Sequence, residues 1–265
     1  MNLPLLLRLI GMGLRRQLVY RVAMWAGLAT NLFFGLIRAM VLTALYQGQG
    51  SVNGMNLAQA ITYAAVTQAT LAFLTIFGSW DVMRTVYSGA IAGDLMRPLD
   101  FYWHWFGRDA GSSLVNLVGR GLVFMLLFRL FYPVALPPDG VAWLGFAVSL
   151  FFGWWISFSW RFLVNLAAFW TPDALGVGRA LFGMSQLFSG FIMPLRLMPD
   201  GFRAFCLLTP FAQIVNAPVE VYLGLLSGAE MVRTLAWQVV WALLLFGVAQ
   251  FVYRAGVRRL VLQGG

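Results

Sequence analysis

The chain contains no lysine; all 18 of its basic residues are arginines. A phosphate-binding loop of the G-x-x-x-x-G-K-[ST] type needs a lysine to reach the β- and γ-phosphates, so that route to ATP hydrolysis is closed. Charge of either sign is scarce, at 10% of residues against about 25% in soluble domains. The nine acidic residues show no paired carboxylates and no nucleophile beside a base, so catalytic residues are not expected. Cys206 is the single cysteine and His104 the single histidine. One thiol makes no internal disulfide, and without further His or Cys a metal centre lacks ligands. Cys206 reads as a small buried hydrophobe. His104, between Trp103 and Trp105, reads as an interfacial aromatic.

What the chain has instead is apolar length. It is 61% hydrophobic over 265 residues, with a mean hydropathy of +0.80. Several runs reach the roughly 20 residues that a helix needs to cross a bilayer. The expected fold class is an all-α integral membrane protein with six transmembrane helices and no soluble domain. Spans are predicted at 22–46, 57–80, 112–131, 141–170, 178–193 and 234–253. Residues 1–20 interleave Leu3, Leu6, Leu7, Ile10, Leu14 and Leu18 with Arg8, Arg15 and Arg16, the pattern of an interfacial amphipathic helix. The other reading is an extension of the first span. Nothing in this segment resembles a removable signal peptide.

Residues 194–233 are too apolar for a free loop, yet Pro199, Gly201, Pro210 and Pro218 interrupt them. A re-entrant hairpin before the last helix is expected, since irregular backbone at membrane depth needs protein or water around it. Arginine counting sets the orientation. The N-terminal segment, the 81–110 region and the C-terminus carry most of the flanking arginines, including Arg84, Arg108, Arg254, Arg258 and Arg259. The first two outer loops carry none. Both termini are therefore expected in the cytoplasm. The exception is Arg196, Arg203 and Arg233, all in the segment assigned to the outer side.

The basic excess, formally +9, follows from this topology, and no nucleic-acid partner is expected. The main polar interruption of the first half is Ser88-Gly-Ala-Ile-Ala-Gly-Asp94-Leu-Met-Arg-Pro-Leu-Asp100, followed by the aromatics 101–106 and Gly107-Arg108-Asp109. Asp94 and Arg97 are three apart, a spacing that pairs them on a helix face, and Pro98 ends that helix. With Ile91, Leu95 and Met96 as its apolar face, the segment is either a plug for a partner's groove or a plain interfacial loop. Arg38, Arg120, Arg129 and Arg161 fall within predicted spans. Arg161, crowded by Trp154, Trp155 and Trp160, is either a cargo-facing charge or half of a structural pair. Glu220, alone in an apolar run, is expected to cap a re-entrant helix. Gly89/Gly93, Gly107/Gly111 and Gly224/Gly228 have the spacing of close helix contacts.

The 88–100 motif with Arg108-Asp109 resembles the loop signature of permease subunits of the ABC transporter type-2 (ABC-2) export family. So does Thr209-Pro-Phe-Ala-Gln-Ile-Val-Asn-Ala-Pro-Val-Glu-Val-Tyr-Leu-Gly224, with Leu226-Ser-Gly-Ala-Glu230 behind it. The ending Tyr253-Arg-Ala-Gly-Val-Arg-Arg259 with Gly264-Gly265 is a third likeness. The match is to the short bacterial subgroup that works with a separate ATPase. That resemblance implies one permease domain over 1–265 and a cytoplasmic coupling loop at 81–110. Ser88, Gly89, Asp94, Leu95, Arg97, Pro98 and Asp100 would contact the ATPase, and the N-terminal helix would approach it. Arg161, Trp154 and Glu220 are the pathway or gating candidates.

The resemblance further implies cytoplasmic ABC ATPase subunits and a second permease, identical or related, in the bacterial inner membrane. No cofactor is expected in this chain; ATP and Mg belong to the ATPase. The expected function is export of a hydrophobic or amphipathic substrate. The alternative is a stand-alone secondary transporter or channel, which would usually place coupling carboxylates within spans.

Overall fold

Asn56 and Gln59 cap each other: Gln59 N donates to Asn56 Oδ1 at 2.9 Å, and Asn56 N to Gln59 Oε1 at 3.0 Å. This capping box opens the most enclosed long helix of a computed structural model. The model describes the backbone of residues 3–19, 21–48, 50–96 and 99–259, and their side chains except at 3–6, 16–19, 21 and 23. In chain order the helices are α1 (Leu3–Val19), α2 (Arg21–Leu45), α3 (Leu57–Leu74), α4 (Asp81–Tyr87), α5 (Ile91–Leu95) and α6 (Phe101–Asn116). A π-helical stretch, Leu117–Leu122, joins α6 to α7 (Val123–Phe128) without a break. There follow α8 (Gly140–Leu166), α9 (Ala174–Phe188), α10 (Asp200–Leu208), α11 (Asn216–Tyr222) and α12 (Gly228–Val257). A small antiparallel hairpin, β1 (Ser51–Val52) with β2 (Met55–Asn56), sets Ser51 opposite Asn56 between α2 and α3.

The scarce acids have two kinds of work. Asp100, Asp139 and Asp173 are N-caps of α6, α8 and α9, their carboxylates accepting first-turn N–H groups. Asp81, Asp94, Asp200 and Glu230 lie in the first turns of α4, α5, α10 and α12. Each answers the positive end of a helix. That leaves Asp109 and Glu220, and each forms an ion pair with an arginine.

Among the described residues five helices are long and apolar enough to cross a membrane: Met24–Leu45, Leu57–Leu74, Phe101–Phe128, Gly140–Phe169 and Gly228–Val257. The chain is an all-α membrane protein. In α3 78% of the apolar window is buried, so it is the central helix. The others turn Phe33, Leu126, Leu144 and Phe251 outward, as surfaces facing hydrocarbon do. The expected span at 178–193 corresponds to α9, whose 15 residues extend about 22 Å, short of the ~30 Å hydrocarbon core.

Other boundaries differ from the sequence reading. The third long helix starts at Phe101, not near Ser112, because the aromatics pack inward: Phe101 and Tyr102 are fully buried. Phe101 stacks on Tyr253, and the Phe101 and Tyr102 rings both pack at an angle against Phe162. α3 ends at Leu74, where Thr75 takes the left-handed conformation (φ 51°). α12 begins at Gly228, which places Arg233 inside the helix.

Cross-helix contacts sort the connections into two ends. At one end, Tyr87 Oη donates to Thr171 O (2.9 Å) and accepts from Ala174 N (3.0 Å). Gln250 Nε2 donates to Asp100 Oδ1 at 3.1 Å, also at this end. At the other, Asn53 Nδ2 donates to Arg196 O (2.8 Å) and Ala135 N to Thr62 Oγ1 (3.0 Å). The described residues of segments 75–96, 99–100, 170–174 and 250–257 thus share one end, and those of 46–48, 50–56, 129–139 and 189–227 the other.

α1 is helical as expected, and it is seated on α6. Gly13 and Gly111 face each other at the crossing; a Cβ on Gly13 would overlap the Arg108 carbonyl, and one on Gly111 the Ile10 carbonyl. Of the three glycine pairs noted in the sequence, only Gly107/Gly111 contributes such a backbone contact; Gly89, Gly93 and Gly228 have open space around them. Gly111→Val should therefore lower stability by about 1–3 kcal/mol, read as a fall in the thermal midpoint in detergent. Gly11→Ala, at a site with no neighbour within 4 Å in the interior of α1, should not lower the midpoint and should raise it slightly.

Candidate functional site

The polar positions of α8 recur at helical spacing. Trp154, Ser157, Phe158, Arg161 and Asn165 lie on one face, turned toward α6 and the 75–83 segment. Arg161 binds Asp109 of α6 with both terminal nitrogens, Nη1 to Oδ1 at 2.8 Å and Nη2 to Oδ2 at 2.9 Å. Such a fork is the strong form of a charged contact. The arginine is 3% exposed and the aspartate 18%, so both charges are largely out of water. Trp154 Nε1 donates to Asp109 Oδ2 (2.8 Å) and lies 3.1 Å from Ser113 Oγ. Ser79 Oγ and Ser157 Oγ stand 3.4 and 3.5 Å from the guanidinium. Nearly every lone pair and N–H of the pair has a partner, the condition under which a buried ion pair holds together.

One helical turn further along α8, Asn165 extends the cluster. Its Nδ2 donates to Ser79 O (2.8 Å), and its Oδ1 accepts from Met83 N (2.9 Å). α8 thus grips both the turn that leaves α3 and the first turn of α4. A cavity of ≈ 360 Å³ opens beside this cluster, lined by Thr75, Ser79, Asp81, Arg108, Asp109 and Arg161 among others.

From this cluster α4 and α5 run to the surface. Ile91 is wholly buried, while Met96 is 83% exposed. The apolar residues of the motif therefore divide into an anchor and a knob. Ser88, Gly89 and Gly93 are exposed, and Asp94 and Leu95 are half-buried. Gly89 takes φ +72° in the turn between the two helices. Asp100 caps α6 and accepts from Gln250. Arg97 and Pro98, and with them the expected Asp94–Arg97 pair, lie outside the described residues, as do the closing Gly264 and Gly265.

A second cluster forms at the opposite end, in 189–227. Arg196 binds Glu220 through Nε (2.9 Å) and Nη2 (3.1 Å). Glu220 sits within α11 and is buried, so it is half of an ion pair; the expectation of a helix cap is corrected. Tyr63 Oη stands 3.0 Å from Gly190 O and 3.1 Å from Asn216 Oδ1. Gly190 has φ +79° and is packed against that hydroxyl, which leaves no room for a Cβ. Gln238 Nε2 of α12 donates to Gln213 O at 2.8 Å. Side chains from α3 and α12 thus satisfy backbone carbonyls of an irregular segment.

Of the remaining in-span arginines, Arg38 and Arg120 have local partners. Arg38 donates to Ile192 O and lies over the Phe191 ring at 4.9 Å. Arg120, in the π-helical stretch, covers Gly27 and approaches Asn31 Oδ1 at 3.5 Å. Arg129 is exposed where α7 ends. Arg161 lies over Phe158 at 5.7 Å, where the sequence reading looked to the tryptophans; Trp154 instead serves its carboxylate partner. The sequence reading singled out Arg161 and Trp154 and missed Asp109 as the link between them. It also passed over Asn165, Tyr87 and Arg196. The available signal was the i, i+4, i+8 run Ser157, Arg161, Asn165 in an otherwise apolar helix, together with so few acids to answer it. Among the described residues no three His, Cys, Asp or Glu side chains come together to hold a metal.

A family model described as "ABC-2 family transporter protein" matches residues 32–264. A search of the curated proteins gives no match. The matched span covers most of the chain, and the chain belongs to this family: it is a multi-pass transmembrane permease of an ABC transporter. Membership implies an ABC ATPase as partner, with this chain as the transport component.

Removing one member of the Arg161–Asp109 pair strands the other. Asp109→Leu or Arg161→Met alone should cost about 3–5 kcal/mol. Asp109→Leu with Arg161→Met should recover most of that, giving a large coupling in a double-mutant cycle of thermal midpoints. Additive losses would show that the two charges act independently.

Proposed function

We propose that this ABC-2 permease exports a hydrophobic or amphipathic substrate from the cytoplasm or inner leaflet, driven by an ATPase that docks on the α4–α5 end. ATP and Mg reside on that ATPase. The membrane is the bacterial inner membrane, and the working permease is a dimer with an identical or related subunit. The observation that carries this reading is the suspension of α4–α5. Asn165 holds it to α8, Tyr87 to the 171–174 turn, and the neighbouring cap Asp100 to α12, while Met96 projects outward. A push on this segment is delivered to three helices at once. Closure of the ATPase on nucleotide shifts the permease only through contacts that differ between its states, and an exposed apolar knob on a braced helix is suited to make them.

The proposed orientation puts this end in the cytoplasm, with both termini. Arginine distribution supports it: Arg8, Arg15, Arg84, Arg108, Arg254, Arg258 and Arg259 gather at this end, against Arg129, Arg196, Arg203 and Arg233 at the other. Six crossings follow if α9 counts as one. α9 starts at the Tyr87 contact, and the chain just beyond it, at Gly190, meets Tyr63, about six residues into α3 and so roughly 9 Å below its outer end. The return from that depth is proposed as the re-entrant hairpin. A packing contact supports it: Ile214 O lies against Gly153, about 13 residues into α8, or roughly 20 Å along its axis.

Buried acid chemistry gives the secondary-transporter reading little to work with. Asp109 and Glu220 are both held by arginines, which leaves neither free to bind a coupling ion. The test is charge reversal in the docking segment, Asp94→Arg, or Arg97→Glu, or Met96→Glu, in the complex reconstituted with its ATPase. Each should leave the ATPase bound and remove roughly 90% or more of the permease-dependent stimulation of its activity, a loss of about 1.4 kcal/mol in coupling. Full stimulation in all three variants would overturn the docking assignment.

A further inference from the structure

Three of the four arginines that run against the charge asymmetry, Arg196, Arg203 and Arg233, border one cavity of ≈ 780 Å³ between α10, α11 and α12. Their environments differ. Arg196 is neutralised by Glu220, which also lines the cavity. Arg203 is half-buried and Arg233 exposed, and among the described residues no ion pair reaches either. Glu230, also in the lining, lies three residues before Arg233 on α12 and forms no ion pair with either arginine. The lining therefore carries three arginines against two glutamates, and neither Arg203 nor Arg233 is neutralised by an ion pair.

Beside each charge the wall is apolar. On α10, Leu207 is one turn from Arg203; on α12, Trp237 and Val240 follow Arg233 at i+4 and i+7 on the same face. These residues all line the cavity. α12 runs inward from this end, so its tryptophan and valine lie deeper than its arginine. A charge at the rim with an apolar wall descending from it is the profile of a lipid: headgroup shallow, chain deep. The volume lies within the roughly 300–1,000 Å³ of ligand pockets, and planar guanidinium groups suit phosphate and carboxylate oxygens.

We propose that this cavity binds an anionic amphiphile, its phosphate or carboxylate between Arg203 and Arg233 and its acyl chain along Trp237 and Val240. Placing the site on the outer leaflet rests on the orientation proposed above; the binding itself does not. The shared chemistry is an anionic headgroup, carried either on an acyl chain or free in solution as phosphate, and the assay separates the two.

The full chain would be purified in detergent with equal phosphatidylglycerol and phosphatidylcholine, and retained lipid counted by native mass spectrometry. The wild type should prefer phosphatidylglycerol by roughly tenfold or more. Arg203→Gln with Arg233→Gln should bring the preference close to parity, while Arg203→Lys with Arg233→Lys keeps most of it. Arg258→Gln with Arg259→Gln, at the opposite end, should change nothing. Trp237→Ala should reduce total retention. Thermal midpoints identify any variant that has lost its fold.

An undiminished preference in the double glutamine variant would overturn the proposal. Displacement of the lipid by millimolar inorganic phosphate would overturn its amphiphile part, because charge alone would then suffice. A changed oligomeric state with unchanged lipid would mean that the arginines face a second permease, and the proposal fails. No ATPase is present, so a negative result here leaves the exporter reading intact.

Discussion

A buried guanidinium in hydrocarbon needs a carboxylate, and this chain has almost none to give. Seven of its nine acids sit at helix N-termini, leaving Asp109 and Glu220 to answer the arginines they meet. Each ion pair stands near one end of the bundle and joins elements far apart in sequence. The Arg161–Asp109 pair ties α6 to α8. Because Trp154, Ser113 and Ser79 complete its hydrogen bonding, the pair has one satisfied geometry. Around that geometry the buried aromatics from Phe101 to Phe106 pack, and through Asn165 it reaches the first turn of α4.

The Arg196–Glu220 pair solves a different problem. Residues 189–227 join short helices by irregular turns, and in the proposed re-entrant hairpin they would border on membrane depth, where an unsatisfied carbonyl is expensive. Tyr63, Gln238 and Arg196 come from separate elements and donate to those carbonyls, while Asn216 Oδ1 accepts from Leu195 N. The segment is thus irregular in backbone while its groups are satisfied by neighbours. In the proposed exporter this end would stay closed while the α4–α5 end receives the stroke.

Much of this was legible in the sequence, and what was not has a physical cause. Apolar length gave five long helices in their right order, and the turn residues 47–54 and 132–140 bracketed the right connections. The boundaries failed where polarity and burial part company. Phe101-Tyr-Trp-His-Trp-Phe106 reads as interfacial because aromatics favour that zone, yet here they fill the space between α6, α8 and α12. Arg161 and Asp109 are 52 residues apart, and periodicity says nothing about which helix faces which. Glu220 seemed isolated for the same reason, since Arg196 reaches it only after the chain has folded back. The glycine spacing at 107 and 111 was real but undirected: its partner is Gly13, in a helix with no matching pattern to announce it.

The central claim is that the end bearing α4 and α5 is where the ATPase engages. The most direct measurement is site-specific cross-linking from position 96, using Met96→Cys with the buried Cys206→Ala, in native membranes containing both subunits. The expected result is a covalent adduct with the ATPase whose yield changes when ATP is added, and none from Ile192→Cys at the opposite end. An adduct from position 192 and none from position 96 would contradict it.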